Sequence, residues 1–388
     1  MKPLVFNCLA LGRPFPNMTT LMVGKSTENR FSDGKLFYPR GRDALMAGID
    51  FLGLKIGDCI IIPAFMCEST VTPLRRAGYR VIFLDINEDL NFDITALKKL
   101  ALKYKARAIL AVNYFGFSCN LREISELCVP LKIKLIEDCS HSFLSSKHFS
   151  GEEQYSDIII YSLRKTLPIR DGGVLRINNY TKDNFIDLTN QLPRIYFVDF
   201  IYFFSRVVEY IISRIGWPNI YSNRVEYLKN NLRTKVLNRE KFEDQKLVAP
   251  KRPSIMLSRY ISSTKYLEST RKKLIQNYLT ITTSASQLGF KLKYINLPRG
   301  TVPQWAILRD HTGDLVDQLR AVGVGACRWP GNELIPEVNE VPEKYQNAKR
   351  LNNELVLIPV HQSLGKRDLT KIILSLKKFS CKNNIDGK

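Results

Sequence analysis

The chain reads as an α/β protein built on a largely parallel sheet, and two observations carry that reading. First, four short apolar runs, 60–62, 108–112, 133–136 and 158–161, are apolar almost throughout rather than at alternate positions. Continuous apolarity marks strands buried on both faces, as happens when helices cover both sides of a parallel sheet. Second, each run is followed at once by a polar or glycine-containing segment. Ligands of open α/β sheets bind beyond the carboxyl ends of the strands. Ser69 with Thr70, residues 113–116, Asp138 with His141, and Lys165 are therefore expected to converge on one site.

Composition bounds the rest. At 388 residues and 45% hydrophobic content, the chain carries enough apolar mass for a large and a small domain. The expected division is 1–245 and 246–388, with a charged connection over 229–246. No internal repeat or low-complexity tract interrupts it. The eight cysteines lack metal-ligand spacing and, with no signal peptide, are expected as reduced thiols in a cytoplasmic protein. Four histidines are too few for a His-rich centre, so no metal site is expected. The formal charge of +21 is spread along the chain, denser after residue 224, and does not by itself indicate specific nucleic-acid binding. An anionic substrate, such as a sugar linked to a nucleoside diphosphate, and an acidic membrane surface fit it equally.

In chain order, Gly41-Arg42-Asp43-Ala44-Leu45 opens a helix to residue 52. Residues 54–58 turn, 59–62 form a strand, and Pro63-Ala64-Phe65 leave it. Ser69 or Thr70 is expected to cap the next helix, whose free N–H groups and dipole favour a phosphate. Pro73 is expected in its first turn, where N–H groups lack helical partners. Two charged strand ends follow: Asp138 within Leu135-Ile136-Glu137-Asp138-Cys139-Ser140-His141, and Lys165 in a run that continues to Asp171-Gly172-Gly173. An amine able to form a Schiff base, paired with a carboxylate able to keep a pyridine nitrogen protonated, is what pyridoxal phosphate chemistry requires.

The ordered series Gly41 to Leu45, Gly57-Asp58, Pro63-Ala64-Phe65, Glu137-Asp138, Lys165 and Gly172-Gly173 resembles the DegT/DnrJ/EryC1/StrS family of sugar aminotransferases. Segments 303–309, 319–324 and 357–362 resemble the same family, so the likeness covers most of the chain except about 180–255. The resemblance implies a pyridoxal phosphate enzyme of fold type I: a large domain with a mostly parallel seven-stranded sheet, a small C-terminal α/β domain, and a homodimer. It implies Lys165 as the Schiff-base lysine, Asp138 as the carboxylate at the pyridine nitrogen, His141 against the cofactor, and Ser69 and Thr70 on the phosphate-binding turn.

Physical reasons stand beside the match. A carboxylate near the pyridine nitrogen favours its protonated form, which absorbs the electrons released when a proton leaves the substrate carbon. A displaced lysine can carry that proton. Arg164 either lowers the basicity of Lys165 by like-charge repulsion or points away. The chain also departs from the family. Ile160 stands five residues before the lysine, where the family carries a serine that holds the phosphate. Ser162, on the same strand face, is the candidate substitute. No counterpart of the family's Asn-Tyr-Arg-like segment is found near 251–260.

Residues 196–217 form a further feature, dense in Phe, Tyr, Ile and Val. On a helix, Asp199, Ser205, Arg206, Glu209 and Ser213 share one side and the other side is continuously apolar. The charges argue against a transmembrane span, leaving a membrane-surface helix or a protein contact. Together these readings give an expected function: transfer of an amino group, from glutamate, onto a nucleotide-linked keto-sugar in polysaccharide or glycoconjugate biosynthesis. Family dehydratases carry histidine in place of the lysine, so Lys165 argues for transfer. The alternative is a catalytically degenerate sugar-nucleotide or membrane-associated binding protein.

Overall fold

The structure is a computed structural model that describes residues 12–15, 35–145, 155–178, 197–215, 248–251, 253–294 and 296–383. Seven strands form the larger sheet: β1 (Lys35–Tyr38), β2 (Cys59–Pro63), β3 (Arg80–Leu84), β4 (Ala108–Val112), β5 (Lys134–Asp138), β6 (Ile158–Ser162) and β7 (Gly173–Ile177). Their order is β1-β7-β6-β5-β4-β2-β3. From β6 to β3 every pairing is parallel, and β7 runs antiparallel between β6 and β1. The expected apolar runs thus became β2, β4, β5 and β6. Every residue of β2, β4 and β6 is buried, as the unbroken apolarity requires.

Helices α1 (Gly41–Phe51), α2 (Glu68–Arg76), α3 (Ile94–Tyr104) and α4 (Leu121–Leu131) connect these strands. Asp93 caps α3 by accepting from the Ala96 N–H at 2.7 Å. Further on, α5 (Phe197–Ile215) is followed by α6 (Ile255–Ser262) and the long α7 (Thr264–Gln287). A second, three-stranded antiparallel sheet, ordered β10-β9-β8, is made of β8 (Lys291–Leu292), β9 (Trp305–Arg309) and β10 (Leu355–Pro359). It packs against α7, which in turn packs against the C-terminal α8 (Lys366–Asn383). The expected charged connection over 229–246, and with it the 245/246 boundary, lies outside the described residues.

Two joints fasten the layers. Glu88, after β3, pairs with Arg309 and Arg350, and Arg309 also reaches Glu354 at 3.2 Å. On the other side, Ser145 Oγ donates to the Gly116 carbonyl at 2.9 Å and accepts from the Val302 N–H at 3.2 Å. Gly116 has φ +102°, and a Cβ there would run into the Val302 carbonyl, so only glycine permits this approach.

The register also explains how the start of α1 reaches the strand ends. Tyr38, Gly173 and Ser162 lie side by side across β1, β7 and β6. Both β1 and β6 oppose β7, so their carboxyl ends share one edge, and the chain leaving β1 arrives there as Arg40-Gly41. Gly173 makes room: a Cβ on it would collide with the Arg40 carbonyl group and the Gly41 nitrogen.

Helix α5 buries a mixed face, with Phe203 in an apolar cluster and Arg206 beside it, and leaves an apolar stripe exposed. Arg206 is buried: it pairs with Glu209, donates to the Pro14 carbonyl at 3.2 Å and lies over the Phe15 ring. Arg214 makes a two-pronged 2.8 Å pair with Asp368. Outward stand Ile201, Phe204, Val208 and Ile211, at 55, 62, 51 and 49% exposure. Among the described residues, no helix is long and apolar enough to cross a membrane.

Gly173→Ala is expected to cost about 1–3 kcal/mol, the usual cost of overpacking, because the obstructing atoms are backbone and cannot swing aside. Urea unfolding measures it, and an unchanged midpoint contradicts the close approach.

Candidate functional site

Where β1, β2, β5 and β6 end, a cavity of about 70 Å³ is lined by Ser69, Thr70, Asp138, Ser162 and Lys165, all expected from the sequence. Two helix starts border it, Arg40-Gly41-Arg42 of α1 and Cys67-Glu68-Ser69-Thr70 of α2. The capping expectation needs correction. Cys67, not Ser69 or Thr70, is the N-cap of α2, with extended backbone at φ −82°, ψ 142°. Its Sγ lies 3.2 Å from both the Ser69 and Thr70 hydroxyls, which sit within the first turn. Pro73 likewise falls in the second turn rather than the first, where it removes a helical bond to the Ser69 carbonyl.

Lys165 ends a short 3-10 turn, Leu163–Lys165, that leaves β6. Gly172, at φ +123°, returns its carbonyl to the Leu163 N–H at 2.8 Å and tightens that turn. The Lys165 Nζ lies 2.9 Å from His141 Nε2. Burial pushes the amine below the ordinary lysine range, with the neighbouring charges of Arg164 and Arg13 adding to the shift and those of Cys67 and Asp138 opposing it. Arg164 is exposed at the cavity wall, so like-charge repulsion acts but is secondary to desolvation.

His141 is buried, and desolvation, reinforced by Lys165, holds its imidazole well below the usual histidine range. Lys165 Nζ and His141 Nε2 share one hydrogen bond, and the tautomer of the neutral ring sets which of them donates; Nδ1 is the ring's other nitrogen. That nitrogen is buried without a hydrogen-bond partner. Phe115 stacks on the ring at 5.4 Å and 10°, and Trp329 meets it edge-on at 5.5 Å and 80°. Phe115 itself sits at φ +58°, an outlier for a bulky residue. The Gln304 N–H bonds its carbonyl at 2.8 Å.

Asp138 ends β5, registered between Val112 and Ile160, and its Oδ1 accepts from the Ser140 N–H at 2.8 Å. Its neighbour Glu137 points the other way into a buried network with Asn113 at 2.6 Å and Ser156 at 3.1 Å. Asn113 was expected at the site but serves this network, while Phe115 of the same segment reaches His141. Gln304 and Gln362 donate to the carbonyls of Lys165 at 3.1 Å and Thr166 at 3.0 Å. Sequence reasoning missed both glutamines, Trp329, Cys67 and the two arginines of α1. Of these, only Arg40-Gly41-Arg42 left a signal, a pair of cations flanking a helix-opening glycine.

Parallel strands thus bring a lysine loop and a carboxylate to one cavity at the sheet's edge. Residues 39–188 match the DegT/DnrJ/EryC1/StrS aminotransferase family. It is 27% identical over 142 residues to a GDP-perosamine synthase of Vibrio cholerae, covering 36% of this chain and 38% of that one. It is 43% identical over 86 residues to a GDP-4-keto-6-deoxy-D-mannose 3-dehydratase of Escherichia coli O55:H7, covering 22% of each. The matched stretch is thus well under half the length of these relatives. The whole fold resembles the aminotransferase TlmJ from Streptoalloteichus hindustanus, with a TM-score of 0.64 at 15% identity over 97% of this chain and 100% of that one. It also resembles NtdA from Bacillus subtilis with bound cofactor PMP, with a TM-score of 0.59 at 16% identity over 89% of this chain and 73% of that one.

The depressed histidine has a pH consequence. Below about 6.5 the unfolded chain protonates His141 and the folded one does not, so stability is lost as pH falls, by up to about 1.4 kcal/mol per pH unit. His141→Gln is expected to flatten that acid limb in urea unfolding between pH 7 and 5. An identical slope in both proteins refutes the assignment of a buried neutral ring.

Proposed function

We infer that the protein is a pyridoxal 5'-phosphate-dependent aminotransferase that moves an amino group, from glutamate, to a nucleotide-linked keto-sugar. The observation that carries this reading is the Lys165–His141 contact at 2.9 Å at the cavity that Asp138 also lines. The residues fit the cofactor: one amine of lowered basicity for the aldehyde, one carboxylate for the pyridine nitrogen, hydroxyls of Ser69, Thr70 and Ser162, and the unpartnered His141 Nδ1. Bound there, the group supplies an electron sink for the charge released at the substrate carbon.

The chain's own residues do the rest. Burial lowers the affinity of Lys165 for its proton, so more free amine is available near neutral pH for covalent attachment and for moving a proton at Nζ. Neutral His141 shares a hydrogen bond with that amine and limits its positions. Gln304 and Gln362 hold the backbone on which Lys165 swings. The 43% identical relative is named as a dehydratase, but the amine at position 165 favours amino transfer. The proposal extends to a homodimer, to division of the chain at 1–245 and 246–388, and to a cytoplasmic location.

Purified protein is expected to absorb in the visible on loading with pyridoxal phosphate, and borohydride reduction to leave a pyridoxyl group on Lys165 by peptide mass mapping. Lys165→Ala abolishes the adduct. A protein that stays colourless sinks the enzyme reading and leaves a degenerate binding protein. Glutamate with a panel of nucleotide-linked keto-sugars, against free keto acids, then tests the acceptor through the product mass.

The exposed stripe Ile201, Phe204, Val208 and Ile211 supports a peripheral contact with an anionic membrane. Lys265, Lys272 and Lys273 of α7 line the groove beside it, together with Tyr210 and Ile211. An apolar stripe beside cations suits such a surface. The protein is expected to float with phosphatidylglycerol vesicles but not phosphatidylcholine vesicles, and Phe204→Glu with Ile211→Glu to abolish flotation. Absence of wild-type flotation, with an oligomer that these substitutions dissociate, makes the stripe a protein interface instead.

A further inference from the structure

We propose that the groove between α5 and α7 binds one anionic phospholipid, its head on the α7 lysines and an acyl chain along α5. The inference deepens the peripheral contact above, from adsorption through a stripe to a site for a single lipid, and it does not depend on the cofactor. Helical spacing builds the groove. Lys265, Ser269, Lys272 and Gln276 recur at i, i+4, i+7 and i+11 along α7 and line one wall. Positions so spaced share a side of a helix, and at 1.5 Å per residue they make a polar strip about 16 Å long. Val207, Tyr210 and Ile211 of α5, at i, i+3 and i+4, form the other wall with Phe15. One chain of contacts joins the walls. The Phe15 and Tyr210 rings lie 4.9 Å apart, the Phe15 N–H donates to Ser363 Oγ at 2.8 Å, and Gln362 Nε2 donates to the Tyr266 hydroxyl of α7 at 3.3 Å.

Charge selects the occupant. Among the described lining residues, Lys265, Lys272 and Lys273 stand against Glu268 as the carboxylate, and Glu268 also faces Arg271 at 3.8 Å. No ion pair among the described residues engages those three lysines. A free phosphate would use the lysines and leave the α5 wall bare to water, and an uncharged chain would do the reverse. A phospholipid covers both walls, by charge on one and by burial on the other. The cleft measures about 1120 Å³, above the roughly 300–1,000 Å³ of sites for drug-sized ligands, which leaves room for a head and a chain together. Ile211 also belongs to the exposed stripe of α5. The groove therefore opens beside the face assigned above to a membrane contact, and that membrane is the source of the lipid.

The test uses full-length protein and dihexanoylphosphatidylglycerol, kept below the concentration at which it forms micelles, with calorimetric titration as the readout. One lipid per chain is expected, bound at least about tenfold more tightly than dihexanoylphosphatidylcholine or glycerol phosphate, since the charged contact and the buried chain each contribute. Lys272→Glu with Lys273→Glu is expected to weaken the lipid roughly ten- to hundredfold. The same charge change on α3, Lys98→Glu with Lys99→Glu, leaves it unchanged. Ile211→Ser, a neutral change, weakens the lipid but not glycerol phosphate. A cooperative urea transition reports that each variant is folded. Equal binding of the phosphatidylcholine, equal binding of glycerol phosphate, or equal loss in the two lysine pairs overturns the site. Flotation on vesicles without binding of the soluble lipid overturns it too and leaves the peripheral contact standing. Binding without flotation supports the groove and removes that contact.

Discussion

The site depends on keeping an amine where water solvates it poorly. A charged lysine in such a place is costly, and the cost falls either on its basicity or on a partner. The structure uses both. Lys165 is shifted toward its neutral form, and the atom it meets is a neutral imidazole nitrogen rather than a carboxylate. That choice forces others: His141 has to stay uncharged, which requires the dry aromatic walls of Phe115 and Trp329. A buried, unpartnered Nδ1 costs on the order of 1–3 kcal/mol. Burial of a single large aliphatic side chain contributes about 1.5–3 kcal/mol, and nine of the fifteen residues of β2, β4 and β6 are Ile, Leu or Val. The sheet core can therefore carry the strained, poorly solvated edge that it supports.

Much of the fold was legible because its strongest signal is local. Runs such as 60–62 and 108–112 have no polar face, so they belong inside a covered parallel sheet, and the segments after them fall at one edge by topology alone. Asp138 and Lys165 were readable for the same reason: they stand two and four residues past the ends of the runs 133–136 and 158–161. The cap of α2 was not. Ser69 and Thr70 are better capping residues than Cys67 by preference, but the extended backbone falls at Cys67, and its sulfur takes up both hydroxyls. Asn113 was misplaced because position along a strand end does not say which way a side chain turns. Glu137, one residue before Asp138, alternates to the opposite face and draws Asn113 with it.

The glutamines at 304 and 362 and Trp329 were illegible for a different reason. They lie more than 130 residues from Lys165 in the chain, and nothing local distinguishes a glutamine that bonds a distant carbonyl from one that meets solvent. Helix α5 shows the limit of periodicity itself. The pattern of 196–217 says which residues share a side, and the helix follows it in part: Arg206 turns inward, but Ser205 of the same expected side is exposed and Phe203 is buried. The pattern does not say which side meets protein. Arg206 finds the Pro14 carbonyl and the Phe15 ring, Arg214 finds Asp368, and these partners turn the charged side inward.

The Ser145 bridge between Gly116 and Val302 bears on how this sequence can change over generations. Val302 is two residues from Gln304 and three from the first residue of β9, so the bridge sets the point from which both are measured. As far as this bridge goes, the identity of residue 302 is free, since its backbone N–H makes the bond, so long as Gly116 remains glycine. The number of residues between Val302 and Gln304 is not, because one insertion carries Gln304 off the Lys165 carbonyl while leaving both sheets intact. The bridge therefore adds a constraint of length over residues 302–304 to the constraint of composition that Gln304 carries through its bond to the Lys165 carbonyl.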